Sequence, residues 1–483
     1  MRAAALYSLM ALLPVTIEGL QLKERSPNST PAVVGLGFEK TRVPKHKTDK
    51  RKRKDKAYAE DLVNEKVLYN AQIQLGTPGQ KIDAQIDTGS SDLWVNSPDS
   101  KICRSKGNPC KQSGTFNKDK SKTYERVNSD FNITYVDGSQ ASGDYGTDVF
   151  QLGDLKLDKL QFGLGLHSTS ENCVLGIGYP SNEVYVATTG NKPYANLPQA
   201  LVDEGLINSR AYSLYLDDFR ADKGQILFGG VDTEKFQGEL QTVPLVKPRG
   251  GVYQEFAIDM TSLSYNKGGK NTQIMKGAVP VVLDSGSTFN NLPPSLVASM
   301  NKKLNGFYDG RLGIDVVPCD AKNSDDFMTF TFSGIDIKVP MNEMVLDPSF
   351  LGMGQLTDDS GTQMCIFGVA PLDGDDDQAI LGDTFLRSAY IVYDLDNNEV
   401  SIANANMNSS KSNIVEIGTG SDAVPSATGV AHPVTTGDVA GTAVAGPMNP
   451  SETTSTNAAG AQPTAKPEHI LGLAGGAVLA AFL

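Results

Sequence analysis

Histidine is nearly missing from this chain. Its 483 residues hold four: His46, His167, His432 and His469. Only His167 falls where the hydrophobic pattern reads as globular. That nearly removes a histidine-built zinc site and leaves a Ser-His-Asp arrangement a single candidate base, with no GxSxG turn beside it. Cysteine is sparse too, at Cys103, Cys110, Cys173, Cys319 and Cys365, and no CxxC occurs. Zinc ribbons and thioredoxin-type chemistry are therefore disfavoured. No apolar run reaches the roughly 20 residues of a membrane-spanning helix. Basic charge is scarce after residue 56: the first 56 residues carry 13 Lys and Arg against 5 Asp and Glu, the remainder 30 against 51. A body that acidic does not seek nucleic-acid phosphates or anionic membranes. It suits basic partners, or solubility at low pH.

What is present starts at the two ends. "MRAAALYSLMALLPVTIEG" has one positive charge and then an apolar run of secretory-signal length, so residues 1–19 read as a signal peptide. Residues 20–56 end in "KHKTDKRKRKDK" and read as a basic pro-segment. A secretory convertase would cut it at Lys50-Arg51 or Lys52-Arg53, and until then it would cover an acidic cleft. Residues 404–457 contain no aromatic residue and are rich in Ser, Thr, Gly, Ala and Pro. Such a stretch buries too little apolar surface to offset chain entropy, so 404–460 is expected to be a disordered, O-glycosylated stalk. "NAA" at 457–459, a polar spacer and the tail "ILGLAGGAVLAAFL" have the layout of a GPI-attachment signal, with Asn457 as the expected attachment residue and 461–483 removed. Asn132 in "NIT" and Asn408 in "NSS" are N-glycosylation acceptors by sequence. These features together place the chain in the secretory pathway and at the cell surface, held by a GPI lipid in the plasma membrane or the wall.

Between the ends, short runs alternate with period two: "YNAQIQL", "KIDAQI", "FNITYV", "AYSLYL", "QEFAIDM", "FTFSGIDIKV", "AYIVYDL". Gly, Asn, Asp and Pro clusters separate them, an all-β pattern. Helical candidates are limited to 196–206 and 293–306. One coarse repeat stands out. "DTGS" at 87 follows an apolar run and precedes "LGIG" at 175; "DSGS" at 284 follows "AVPVVL" and precedes "LGDT" at 381. The chain reads as two similar lobes, 57–245 and 246–403, each contributing one acidic turn.

A lone Asp-Thr/Ser-Gly is a common β-turn, with glycine at positive φ. Two copies at matched places mean more. If the lobes face each other, Asp87 and Asp284 meet, and two carboxyls at hydrogen-bond distance share one proton. Such a pair activates a water as base while donating a proton to a carbonyl oxygen, with no metal, cofactor or covalent nucleophile. Thr88 and Ser285 are placed to hydrogen-bond across the lobes. Gly89 and Gly286 let backbone N–H groups approach the carboxylates and supply φ freedom. Ser90 and Ser287 are placed to donate to the outer carboxylate oxygens.

Seven stretches, "LGTPGQ", "DTGSSDLWV", "ITYVDGSQASG", "VLGIGYPSNE", "ILFGGVD", "DSGSTF" and "ILGDTFLRSAYIVYDLDNNEVSIA", resemble the pepsin-like aspartic endopeptidases over about residues 66–403. The resemblance implies a bilobal β fold with a substrate cleft between the lobes, a monomer, and polypeptide substrates. It makes Asp87 and Asp284 the catalytic pair, and Tyr135 with Asp137 and Gly138 the tip of a hairpin flap. The flap tyrosine would bond the indole N–H of Trp94, the only tryptophan. Gly89, Gly286 and Ser287 would line the substrate site. Cys103 would pair with Cys110 and Cys319 with Cys365, leaving Cys173 a buried thiol. Val136 departs from the usual glycine after the flap tyrosine, and Cys173 from the usual glycine before "LG". The signal, pro-segment, stalk and tail narrow the likeness to the fungal cell-surface group of yapsins and opsins.

Two other readings compete: a cell-wall binding protein that kept this fold and lost catalysis, and a secreted hydrolase built on His167. A further expectation concerns "PLDGDDDQ", 371–378, expected at the cleft rim. Its four carboxylates, with Asp137, would favour Lys or Arg near the scissile bond.

Overall fold

The computed structural model describes residues 33–42, 67–221, 223–372, 378–435 and 442–443. The alternation seen in the sequence becomes strands wherever one face meets the core. In Phe327–Phe332 every second residue is buried, and the same holds for Ile335–Pro340. The run "FTFSGIDIKV" is thus two strands, not one. Ser333 and Gly334 turn between them with φ of 49° and 94°, which fits a two-residue hairpin that matches strand twist. The strands that flank the first acidic turn differ. Gln80–Asp87 ends in four consecutive buried residues and Leu93–Asn96 is buried throughout, because both lie inside a sheet covered on both faces.

A 14-stranded sheet runs through the molecule. Its first-lobe part holds Val67–Leu75, Gln80–Asp87, Cys173–Gly176, Leu93–Asn96 and the long Gln140–Leu152 and Leu155–Ser168 pair. Its other part interleaves the lobes: Ala389–Asp394 from the second half pairs with Ala211–Tyr215 from the first, and Glu399–Ala405 pairs with Phe236–Pro244. An eight-stranded sheet forms the second lobe around Ala257–Lys267 and Lys270–Leu283, with a five-stranded sheet beside it. The fold is all-β and bilobal. Helices form at Leu197–Asp203 and Pro294–Leu304, inside both expected segments, and short turns of helix occur at Val184–Thr189, Met341–Met344 and Asp383–Leu386.

The coarse repeat has a structural meaning. Asp87 ends a strand that pairs in parallel with Cys173–Gly176, the first Leu-Gly element. Leu283, just before Asp284, pairs in parallel with Leu381 of the second. Each acidic turn is therefore braced by its own downstream Leu-Gly. Both expected disulfides form, Cys103–Cys110 and Cys319–Cys365, and Cys173 is a buried free thiol.

One expected boundary needs correction, and one expected segment takes part in a sheet. Within the segment read as a pro-segment, Val34–Arg42 is a strand of the large sheet, lying between Lys223–Phe228 and Val67–Leu75. The described part of that segment is a sheet component rather than a cleft cover; the basic pairs at 50–53 lie outside the described residues. Described residues inside the expected stalk, 404–460, pair into the sheets. Ile414–Glu416 pairs with Gly230–Asp232, Ala427–Gly429 adds a parallel strand beside Phe236–Pro244, and Thr442–Ala443 pairs with Lys270–Leu283. Ile417, Ala423 and Val424 are buried against Tyr215, Tyr390 and Val231. A sheet edge already built by other residues lets small side chains dock through backbone pairing, which composition does not register. Asn457, the tail and residues 1–19 lie outside the described residues.

Candidate active site

Asp87 and Asp284 are each 1% exposed and face one another at the junction of the lobes. The two turns are near copies. Asp87 Oδ1 accepts from the N–H groups of Gly89 (2.8 Å) and Ser90 (3.2 Å), and its Oδ2 accepts from the Ser90 hydroxyl. Asp284 Oδ1 accepts from the Gly286 N–H (2.7 Å), and its Oδ2 from the Ser287 hydroxyl (2.6 Å). The Gly89 N–H also reaches Asp284 Oδ1 at 3.1 Å, so one donor serves the inner oxygens of both carboxyls.

Burial pushes both carboxyls above the usual carboxylate range. Asp87 is pushed well above it, with the charge of Asp284 adding to burial; for Asp284, donation from Ser287, Asp87 and the glycine N–H groups offsets part of the burial. The physical content is a pair that holds one proton between two oxygens, and the titration belongs to the pair.

The hydroxyl neighbours cross the lobe boundary as their positions suggested. The Thr88 N–H donates to Ser285 Oγ (3.2 Å) and the Ser285 N–H to Thr88 Oγ1 (3.0 Å). Of the two reasons expected for the glycines, close approach holds and φ freedom does not. Neither Gly89 nor Gly286 has a positive φ. A Cβ on Gly89 would lie 2.6 Å from the Asp284 carboxyl carbon, and one on Gly286 would lie 2.5 Å from Asp87 Oδ1. Close approach, not conformational freedom, excludes a side chain there.

The flap hairpin comes from Glu125–Thr134 and Gln140–Leu152. Tyr135 is buried beneath it, its hydroxyl accepting from Trp94 Nε1 at 2.6 Å. Burial and the nearby charge of Asp87 push the Tyr135 phenol up, so it stays a neutral hydroxyl. Gly138 turns the tip with φ +77°. Asp137 is half-buried and accepts from the Ser139 N–H (2.9 Å), stabilising its own turn. Val136 is 47% exposed at the tip. Asn132 and Asn408 are exposed; the Asn408 amide donates to Asp218 Oδ2 at 2.7 Å. The acidic residues Asp373, Asp375, Asp376 and Asp377 lie outside the described residues.

Sequence reasoning missed two features. Gln85, buried in the strand leading to Asp87, donates from Nε2 to the Gly286 carbonyl at 2.9 Å and adds a further tie between the turns. A glutamine at a buried strand position was the available signal. Behind the flap, Asp92 Oδ1 accepts from the hydroxyls of Tyr145 (2.7 Å) and Tyr194 (2.9 Å), and its Oδ2 accepts from the Val184 N–H (2.9 Å). Glu183 is fully buried beside it and accepts from the Tyr194 N–H (2.9 Å). Burial and the Asp92 charge push Glu183 up to about 10.

Comparison with known proteins bears on this geometry. The sequence model of the eukaryotic aspartyl protease family matches residues 68–405. "Probable aspartic-type endopeptidase opsB" of Aspergillus fumigatus is 44% identical, over 93% of this chain and 92% of its own length. "Aspartic proteinase yapsin-3" of Saccharomyces cerevisiae is 36% identical, over 76% of this chain and 71% of its own. Among solved structures, the aspartic proteinase of Irpex lacteus superposes with a TM-score of 0.58 at 19% identity, covering 79% of this chain and 100% of that one, a likeness of fold.

Proposed function

Since the chain belongs to the eukaryotic aspartyl protease family and is an aspartic-type endopeptidase acting on polypeptides, we propose that Asp87 and Asp284 are its catalytic pair. The observation that carries this is the single Gly89 N–H serving the inner oxygens of both carboxyls. A pair with one proton holds a water between the turns. The ionised partner takes a proton from that water as its oxygen attacks the scissile carbonyl carbon, and the protonated partner gives its proton to the carbonyl oxygen. In the resulting gem-diol, one hydroxyl proton returns to a carboxylate while the other carboxyl protonates the amide nitrogen. The C–N bond breaks, leaving an acid, an amine and a pair that again holds one proton. Tyr135, held by Trp94, closes over the substrate, and Gly89, Gly286 and Ser287 line it.

This chemistry requires the singly protonated pair and so an acid-leaning bell-shaped pH profile. The acidic body favours basic residues near the cut, through focused negative potential and, in part, the carboxylates of 371–378. The enzyme is secreted as a precursor, cut by a convertase near Lys50-Arg51 or Lys52-Arg53, and held at the surface by a lipid on Asn457. The terminal sequence patterns support that reading.

Asp87→Asn and Asp284→Asn, each purified and checked for an unchanged melting profile, test the pair. Each is expected to lose proteolysis by at least about a thousandfold. Substantial activity in either folded variant, sensitive to a transition-state analogue, sinks the assignment.

A further inference from the structure

The strand Ala257–Lys267 pairs with Lys270–Leu283 with Ala257 opposite Val282. The pairing continues one step further, because the Leu283 N–H donates to the Phe256 carbonyl at 3.2 Å. The next residue, Glu255, sits at a bend just past that bond, level with Asp284, whose charge acts on it. Asp284 projects toward Asp87 and Gly89. Glu255 therefore lies next to the pair.

Its neighbours fix it there. Tyr253 stacks on Tyr179 of the first lobe, with ring centroids 6.3 Å apart. The Ser181 hydroxyl donates to the Tyr253 carbonyl, and Gln254 Nε2 donates to the Ser181 carbonyl at 3.1 Å. Tyr253 and Gln254 thus bridge the lobes, with Glu255 next in the chain. Glu255 is half-buried, and no described residue donates a hydrogen bond to its carboxyl or forms an ion pair with it. A carboxyl removed from much of its water without a partner is costly to keep, unless a ligand supplies the missing charge.

We propose that Glu255 is a specificity-determining residue that receives a Lys or Arg side chain of the substrate close to the scissile bond. This rests on the preference for basic residues argued above and names the group that reads it. A charge-assisted hydrogen bond in such a half-dry place discriminates more strongly than distant surface carboxylates do. The two sources also differ in pH. Burial, then the charge of Asp284, pushes Glu255 up to about 7. Among the described residues, Asp284 is the charged group acting on it; Tyr253, Tyr179 and Ser181 are the polar groups of the adjoining bridge. Glu255 is thus largely neutral at pH 4 and gains charge toward pH 7, whereas ordinary carboxylates are mostly ionised by about pH 5.

The test measures kcat/KM for peptide pairs carrying Lys or Leu at each position within three residues of the cut. Wild type, Glu255→Gln and Glu255→Asp are compared from pH 4 to 7. The expected result is a Lys/Leu ratio that rises with pH in wild type at one position, falls about tenfold in Glu255→Gln at pH 6 and partly recovers in Glu255→Asp. A wild-type preference for Lys that Glu255→Gln retains overturns the role of Glu255 and leaves the basic preference standing. A ratio that stays flat with pH in wild type also overturns it, even if the variants fail to fold. No Lys preference at any pH overturns the underlying preference and this proposal with it.

Discussion

Thr88 and Ser285, 197 positions apart, exchange backbone-to-hydroxyl hydrogen bonds, and each hydroxyl also donates at 2.9 Å to a carbonyl in the other lobe: Thr88 to Leu283, Ser285 to Ile86. Four bonds thus join two turns by two side chains of four heavy atoms or fewer beyond the backbone. All lie in the buried junction, where an unmade hydrogen bond costs more than a made one contributes.

Removing either hydroxyl leaves a buried N–H and a buried carbonyl without partners. Thr88→Ala and Ser285→Ala are each expected to lower unfolding free energy by about 2–4 kcal/mol and to reduce kcat, because the carboxyls lose their relative position. Thr88→Ser keeps the hydroxyl and is expected to lie near wild type in activity. In a double-mutant cycle the pair is strongly non-additive. Additive losses measured by denaturant unfolding, with kcat unchanged, would show that the turns are held by something else.

The legible features were those whose chemistry is local or repeated. Each acidic turn writes its own hydrogen bonds within three residues, and the repeat says that two such turns exist and that both precede a Leu-Gly brace. The junction of Asp87, Thr88, Asp284 and Ser285 follows from that. The Trp94–Tyr135 bond and both disulfides were reachable through family likeness rather than spacing. The rest depends on which remote surfaces meet. Nothing near Gln85 announces the Gly286 carbonyl, and nothing near Asp92 announces Tyr145, 53 residues on, or Tyr194, 102 residues on. The C-terminal extension misled for a related reason: low aromatic content argues against building a core, not against docking on one.

That extension carries its own prediction. Ser412 Oγ and the Asn413 N–H donate to the two carboxylate oxygens of the buried Asp232, at 2.7 and 2.8 Å. Ile417 and Val424 cover the aromatic side chains of Tyr215 and Tyr390. A chain ending at residue 411 therefore uncovers apolar surface and strips a buried carboxylate, and is expected to lose about 2–5 kcal/mol and several degrees of Tm. A chain ending at 445 is expected to melt like one ending at 460. Equal melting temperatures for chains ending at 411 and 445 would return 412–435 to the stalk.

The last prediction concerns alkaline sensitivity, and its sign follows from Glu183. Its carboxyl is pushed from 4.5 to about 10, first by burial and then by the charge of Asp92, and its Oε1 has no hydrogen-bond partner among the described residues. Asp92 is raised as well, again by burial. A raised carboxyl keeps its proton in the folded state while the unfolded chain releases it. The stability this confers is fully present below the unfolded value near pH 4.5 and is lost as pH rises toward the folded value. Each proton so held gives a slope of about 1.4 kcal/mol per pH unit within that window. Asp87, Asp284, Asp394 and Glu399 are raised too and add slope of the same sign. Melting temperature is therefore expected to be highest under acid conditions and to fall steadily from about pH 5 to pH 8. Glu183→Gln keeps the shape and an acceptor for the Tyr194 N–H but cannot ionise, so its Tm is expected to fall less steeply. The first region to loosen is the flap base, since Tyr145 lies edge-on to Phe131 in the flap strand at 5.3 Å and shares Asp92 with Tyr194. Hydrogen exchange at 131–135 should accelerate with pH before global unfolding in the parent, and less so in Glu183→Gln. A Glu183→Gln variant with the parental pH dependence of both Tm and flap exchange would remove Glu183 from this account.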